Sequence, residues 1–114
     1  MLKIKTYLEK STVHGIGLFT SEDIKKNQVI GELGKFDLLI HKDDIDESEY
    51  EFFKMYSSAI GEYRQTYFDN MRFMNHSADN NCIDTPDGKT IAIRDISIGE
   101  ELTCNYSLIC DEWK

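Results

Sequence analysis

Arg72-Phe73-Met74-Asn75-His76-Ser77, continued by Ala78-Asp79-Asn80-Asn81-Cys82, sets a run of small and polar side chains directly behind an apolar step. Asn, Asp and Ser side chains hydrogen-bond to nearby backbone, so this composition suits a loop that ties itself down. His76 alone reads either as a structural histidine or as a functional group. His14, His41 and His76 are far apart and show no HxxxH or HxxE spacing, so no metal site is expected.

Two further segments belong with this one. Gly15-Ile16-Gly17 is half of a phosphate-loop pattern, lacks the third Gly, and leads into a strand instead of a helix. It reads as a tight turn between strands, or as a place where backbone comes close to a small ligand. Gly99-Glu100-Glu101-Leu102-Thr103-Cys104-Asn105-Tyr106 reads as a strand whose closing tyrosine buries its ring and bonds through its hydroxyl. No Ser, Cys or Lys sits in a nucleophile elbow, so covalent hydrolytic chemistry has no support.

Around these segments the pattern is mostly β. Leu2 to Leu8 alternates apolar and polar, Ile16 to Thr20 and Gln28 to Leu33 are β-rich, and so is Phe36 to Ile40. Ser21 to Asn27 reads as one capped turn. The apolar residues between Glu49 and Ala59 recur at roughly helical spacing, which predicts a short helix, and Asp69 to Met74 predicts another helical turn. Ile83–Thr85 and Thr90–Arg94 pair across Pro86-Asp87-Gly88-Lys89, and Ile96 to Thr103 makes a last strand. There is no βαβ alternation.

The 114 residues carry 13 Lys plus Arg against 21 Asp plus Glu, a net charge of −8. A chain of this length forms one domain, 1–114, since it cannot supply two stable cores. Nothing approaches the roughly 18 to 20 apolar residues of a membrane-spanning helix, and the first residues lack a signal peptide's apolar stretch. A soluble, intracellular protein is expected, with no membrane partner. The negative charge disfavours direct nucleic-acid binding and favours a cationic partner. Cys82, Cys104 and Cys110 are odd in number and form no CxxC pair, so free thiols are expected in place of disulfides or structural zinc.

Taken in order, these segments resemble the SET-domain family of protein-lysine methyltransferases. His14-Gly15-Ile16-Gly17-Leu18-Phe19 is similar to the family's GxG segment, Arg72 to Ser77 to its RFxNHS motif, Asp79-Asn80-Asn81-Cys82 to the DPNC that follows, and Gly99 to Tyr106 to the closing GEELT-x-(D/N)Y. The resemblance spans about Ser11 to Tyr106 and leaves a short tail, 107–114. It implies a mostly β fold, a β-clip of several small sheets with one or two short helices and a C-terminal pseudoknot.

It also implies a cofactor, S-adenosylmethionine, released as S-adenosylhomocysteine, with a lysine from a basic protein segment as the methyl acceptor. The cofactor-binding residues by resemblance are His14, Gly15, Ile16, Gly17, Tyr50, Arg72, Phe73, Asn75 and His76, with His14, Ile16 and His76 acting through main chain. Trp113 either closes over the adenine or is a surface aromatic. Tyr106 is the expected catalytic residue, with Tyr50 second, and Phe36, Cys104 and Tyr106 would line the lysine channel. Ala78 stands where a zinc-binding Cys is usual and no CxC follows Tyr106, so no post-SET zinc cluster is expected. A lid could then come from a second copy in a homodimer. The acidic run Asp43 to Glu51 is either a solvated loop or a steering surface for a basic peptide. The alternative function is a β-clip module, weak or inactive in catalysis, that binds a basic peptide or small ligand.

Overall fold

Short runs of β-branched and aromatic residues broken by turn formers at close intervals give small sheets instead of one large one. The computed structural model describes residues 1–32, 34, 37–53 and 57–105. Among these, the strands are β1 (Thr6–Lys10), β2 (Ile16–Thr20), β3 (Val29–Glu32), β4 (Leu38–His41), β5 (Ser57–Ile60), β6 (Tyr63–Thr66), β7 (Asn75–His76), β8 (Cys82–Asp84), β9 (Lys89–Ala92) and β10 (Glu101–Cys104). One α-helix, α1 (Glu47–Phe53), and 3-10 turns at Lys42–Asp44 and Asn70–Phe73 complete the described elements.

The strands form three sheets, ordered β1-β2-β10-β7, β3-β9-β8 and β4-β6-β5. In the first, β2 pairs antiparallel with both β1 and β10, whereas β7 runs parallel to β10 with Asn75 opposite Thr103 and His76 opposite Cys104. Two strands so close in space and so far apart in sequence bring the Asn75-His76-Ser77 segment beside the Glu101-to-Asn105 segment. Leu18, Ile24, Ile30, Met71, Met74, Cys82, Ala92, Ile96, Leu102 and Cys104 make the buried apolar cluster against which the sheets pack.

The elements depart from the sequence pattern in three places. The first strand runs Thr6–Lys10, not Leu2 to Leu8, because its register is set by β2, from Thr6 opposite Thr20 to Lys10 opposite Ile16. Leu2 only bridges Gly31, and its N–H donates to Asp69 Oδ2 at 2.6 Å. The helix spans Glu47–Phe53, and the last part of the expected helix, from Ser57 to Ala59, is strand instead, because Ser57–Ile60 hairpins with Tyr63–Thr66 through Gly61, whose φ is +59°. Arg64 and Gln65 are polar yet buried, which removed the apolar alternation that would have revealed β6. The last strand is Glu101–Cys104, with Ile96 contributing only an isolated bridge to Ile24.

Candidate functional site

Ser11 starts the site. Its N–H donates to Gly15 O at 2.7 Å, closing the loop between β1 and β2, and its hydroxyl oxygen accepts from Val13 N and His14 N at 2.8 and 3.1 Å. The hydroxyl proton goes to the Glu101 carboxylate, 2.7 and 2.8 Å from its two oxygens, so the donor and both acceptor positions of Ser11 are used. Gly15 turns the chain with φ +48°, a conformation that costs glycine nothing. Gly17 is needed for a different reason: a Cβ there would stand 2.6 Å from Glu101 Oε2.

Asn75 joins this loop to the third segment. The two N–H groups of its Nδ2 are shared among three acceptors, His14 O at 2.8 Å, Ile16 O at 3.2 Å and Glu101 Oε2 at 3.0 Å. Next along the chain, Ser77 N donates to Cys104 O at 2.9 Å. Asn81, buried, clamps β10 from the other side: Nδ2 donates to Glu101 O at 2.8 Å and Oδ1 accepts from Thr103 N at 2.9 Å. A polar side chain this buried is tolerable only because its hydrogen bonds are made.

The fold thus brings His14, Gly15, Ile16, Gly17, Asn75 and His76 together at one end of the four-stranded sheet. His14 and His76 are exposed and Ile16 presents 55% of its surface to solvent. Arg72 and Phe73 occupy the 3-10 turn just before Asn75, with the Arg72 guanidinium 5.0 Å from the Phe73 ring centre. Tyr50 is half-buried on α1, away from this end in the chain order. Cys104 ends β10 and is buried. Burial pushes its thiol pKa up, and the Asp84 charge adds to the rise; the Cys82 thiol is pushed up to about 12 by burial first and Asp84 second. Phe36, Tyr106 and Trp113 lie outside the described residues, as does Cys110. Ser11, Glu101 and Asn81 were assigned no role from sequence. Ser11 meets Glu101 across 90 positions, a pairing no local pattern announces.

Other features lie elsewhere. A cavity of about 30 Å³, room for a water or two, is lined among others by Glu32, Gln65, Met71, Asp84 and Thr90. Among the described residues no group of three His, Cys, Asp or Glu side chains is placed to hold a metal ion, and no helix is long and apolar enough to cross a membrane. Asp43, Asp44, Asp46, Glu47, Glu49, Glu51 and Glu62 form an exposed acidic surface around α1 and the β5–β6 turn.

Comparison with known proteins follows the same segments. Over 123 aligned residues, covering 93% of this chain, it is 33% identical to histone-lysine N-methyltransferase set1 of Dictyostelium discoideum, of which it spans only 8%. A Plasmodium falciparum crystal structure shares the fold at 22% identity, with a TM-score of 0.66 over 92% of this chain and 95% of that one. Polycomb repressive complex 2 of Chaetomium thermophilum, in an autoinhibited conformation bound to S-adenosylmethionine, gives a TM-score of 0.68 and 28% identity over 90% of this chain and 15% of that one. The sequence profile of the SET domain matches residues 15–107, a span that contains the glycine turn, Asn75-His76-Ser77 and the strand that pairs with it. The three segments that the fold draws together are therefore those of a known lysine methyltransferase family, and the chain belongs to the SET domain family.

Proposed function

We propose that this chain transfers methyl groups from S-adenosylmethionine to a lysine side chain in a basic protein segment. The junction at Asn75 carries this proposal, because one amide holds the glycine turn, the Asn75-His76-Ser77 segment and the closing strand in a single arrangement. The chemistry there fits the cofactor. The carbonyls of His14 and Ile16 and the Glu101 carboxylate form an acceptor-rich, negatively biased edge, suited to a ligand that carries an ammonium and a sulfonium. The cofactor, when bound, supplies an electrophilic methyl group.

In this proposal His14, Gly15, Ile16 and Gly17 meet the cofactor through main chain, His76 does the same, and Asn75, Arg72, Phe73, Tyr50 and Trp113 surround it. The Tyr106 hydroxyl orients the substrate amine, and Phe36, Cys104 and Tyr106 exclude water from its path. Lysine has an ordinary pKa near 10.4 and must lose a proton before it attacks. A dry channel lowers that pKa by withdrawing solvation from the charged form. In-line displacement then depends on alignment more than on acid–base groups, consistent with the absence of a catalytic histidine side chain from this scheme.

Calorimetric titration with S-adenosylmethionine, followed by a mass-spectrometric methylation screen on histones and ribosomal proteins, tests the proposal. Binding and methyl transfer are expected, with Tyr106→Phe keeping cofactor affinity and losing about 100-fold or more in turnover. Binding of a basic peptide with no affinity for S-adenosylmethionine would place the chain among non-catalytic β-clip modules instead.

A further inference from the structure

We propose that Glu101, acting with Ser11, is the positioning residue of this site: its carboxylate fixes the Asn75 amide in one orientation and seats the Gly15–Gly17 turn, so that the edge is formed before any ligand arrives. The cofactor role of that edge rests on the function proposed above; the lock itself does not.

Three oxygens, His14 O, Ile16 O and Glu101 Oε2, surround Asn75 Nδ2. Turning the amide round would set Oδ1 against all three, so its orientation is determined and Oδ1 is left pointing away from the cluster as an acceptor. Glu101 is the charged member of the set, and hydrogen bonds to a carboxylate are shorter and stronger than neutral ones. The same carboxylate takes the Ser11 proton on both oxygens, and Ser11 holds the loop through Val13 N, His14 N and Gly15 O. Glu101 therefore reaches the turn by two routes, one from below through Ser11 and one through Asn75. Gly17 completes the fit, since any side chain there would displace the carboxylate.

Glu101 is itself held rigidly. Its backbone sits opposite Phe19 in the β2–β10 pair, and its carbonyl accepts from buried Asn81. A supporting group placed on a strand and anchored from behind transmits position to the side chains it bonds. Among the described residues no cation lies within ion-pair distance of this carboxylate, whose partners are a hydroxyl and an amide. Among the described residues, its hydrogen-bond donors are thus the groups it positions.

Glu101→Gln keeps the shape, removes the charge and replaces one acceptor with an NH2 that faces donors. In ligand-free protein, nitrogen-resolved NMR should show the Asn75 side-chain NH2 pair losing about tenfold in protection from exchange, together with the amides of Val13 to Gly17, while the sheet amides of β3, β8 and β9 stay protected. In turnover, KM for S-adenosylmethionine should rise about tenfold, with kcat changing much less. Ser11→Ala, which leaves the Glu101–Asn75 bond, should give the same pattern at roughly a third of the size, and it decides the matter if Glu101→Gln does not fold. An unchanged Asn75 signal in a folded variant, or protection lost uniformly across all three sheets, would overturn the proposal. If the wild type binds no S-adenosylmethionine, the proposed function fails and the ligand-free NMR comparison still decides the lock.

Discussion

Burial pushes the Asp84 carboxyl above its ordinary value, and the Thr90 hydroxyl, donating to Oδ1 at 2.6 Å, offsets part of that rise. A group whose folded pKa is raised favours the fold when protonated. Its contribution is fully present below the unfolded pKa near 3.9 and is lost as pH rises through the folded value. Asp84→Asn keeps an acceptor for Thr90 and removes the titration. The variant should therefore gain stability over the wild type on passing from about pH 4 to pH 7, measured as the difference between their thermal midpoints at each pH. The same change removes the negative charge that raises the Cys82 and Cys104 thiols, so both should ionise at lower pH in the variant. Asn75 and His76 stood out in the sequence because of their unusual polar run. Asp84 did not, since an Asp beside a Thr-Pro-Asp-Gly turn looks like an exposed turn residue until the sheet covers it.

The β5–β6 hairpin depends on one side chain in a comparable way. Arg64 is 3% exposed, and it donates from Nε to Ser57 Oγ at 2.9 Å and from Nη2 to Ser57 O at 2.8 Å. Ser57 in turn donates to Phe53 O at 2.8 Å, so the end of α1, the start of β5 and the middle of β6 share one network. Arg64→Ala removes the donors from these half-buried acceptors and opens a cavity where the buried Arg64 stood, and should cost about 2 to 4 kcal/mol, read from the urea midpoint at constant slope. A loss under about 0.5 kcal/mol would show that the network is not needed. This hairpin escaped the sequence because the two consecutive residues its central strand buries, one on each face, are the polar Arg64 and Gln65, so no apolar signal marks the strand. The β8–β9 hairpin, with Pro86-Asp87-Gly88 between its strands, was expected to within one or two residues at each boundary, because its turn is encoded locally.

Charge acts over the whole molecule. The net −8 includes the exposed acidic surface formed by Asp43, Asp44, Asp46, Glu47, Glu49, Glu51 and Glu62. Steering of a lysine-rich peptide by that surface should weaken as salt shortens the Debye length, so kcat/KM should fall several-fold between about 0.05 and 0.3 M salt. Activity independent of ionic strength would leave the acidic run as a solvated face. The chain's net negative charge, the mostly β character and the two motifs around Asn75 and Glu101 were determined by the sequence itself, because they rest on composition, short-range periodicity and residue types in fixed order. Only the tertiary structure decided that β7 lies parallel to β10, that Ser11 and Asn75 share the Glu101 carboxylate, and that a side chain at Gly17 would push that carboxylate aside. Those contacts join residues 26 to 90 positions apart, and no local propensity encodes them. They arise when packing around Leu18 and Leu102 brings β2 and β10 together, which sets the half-buried Ser11, Asn75 and Glu101 within hydrogen-bonding reach of one another.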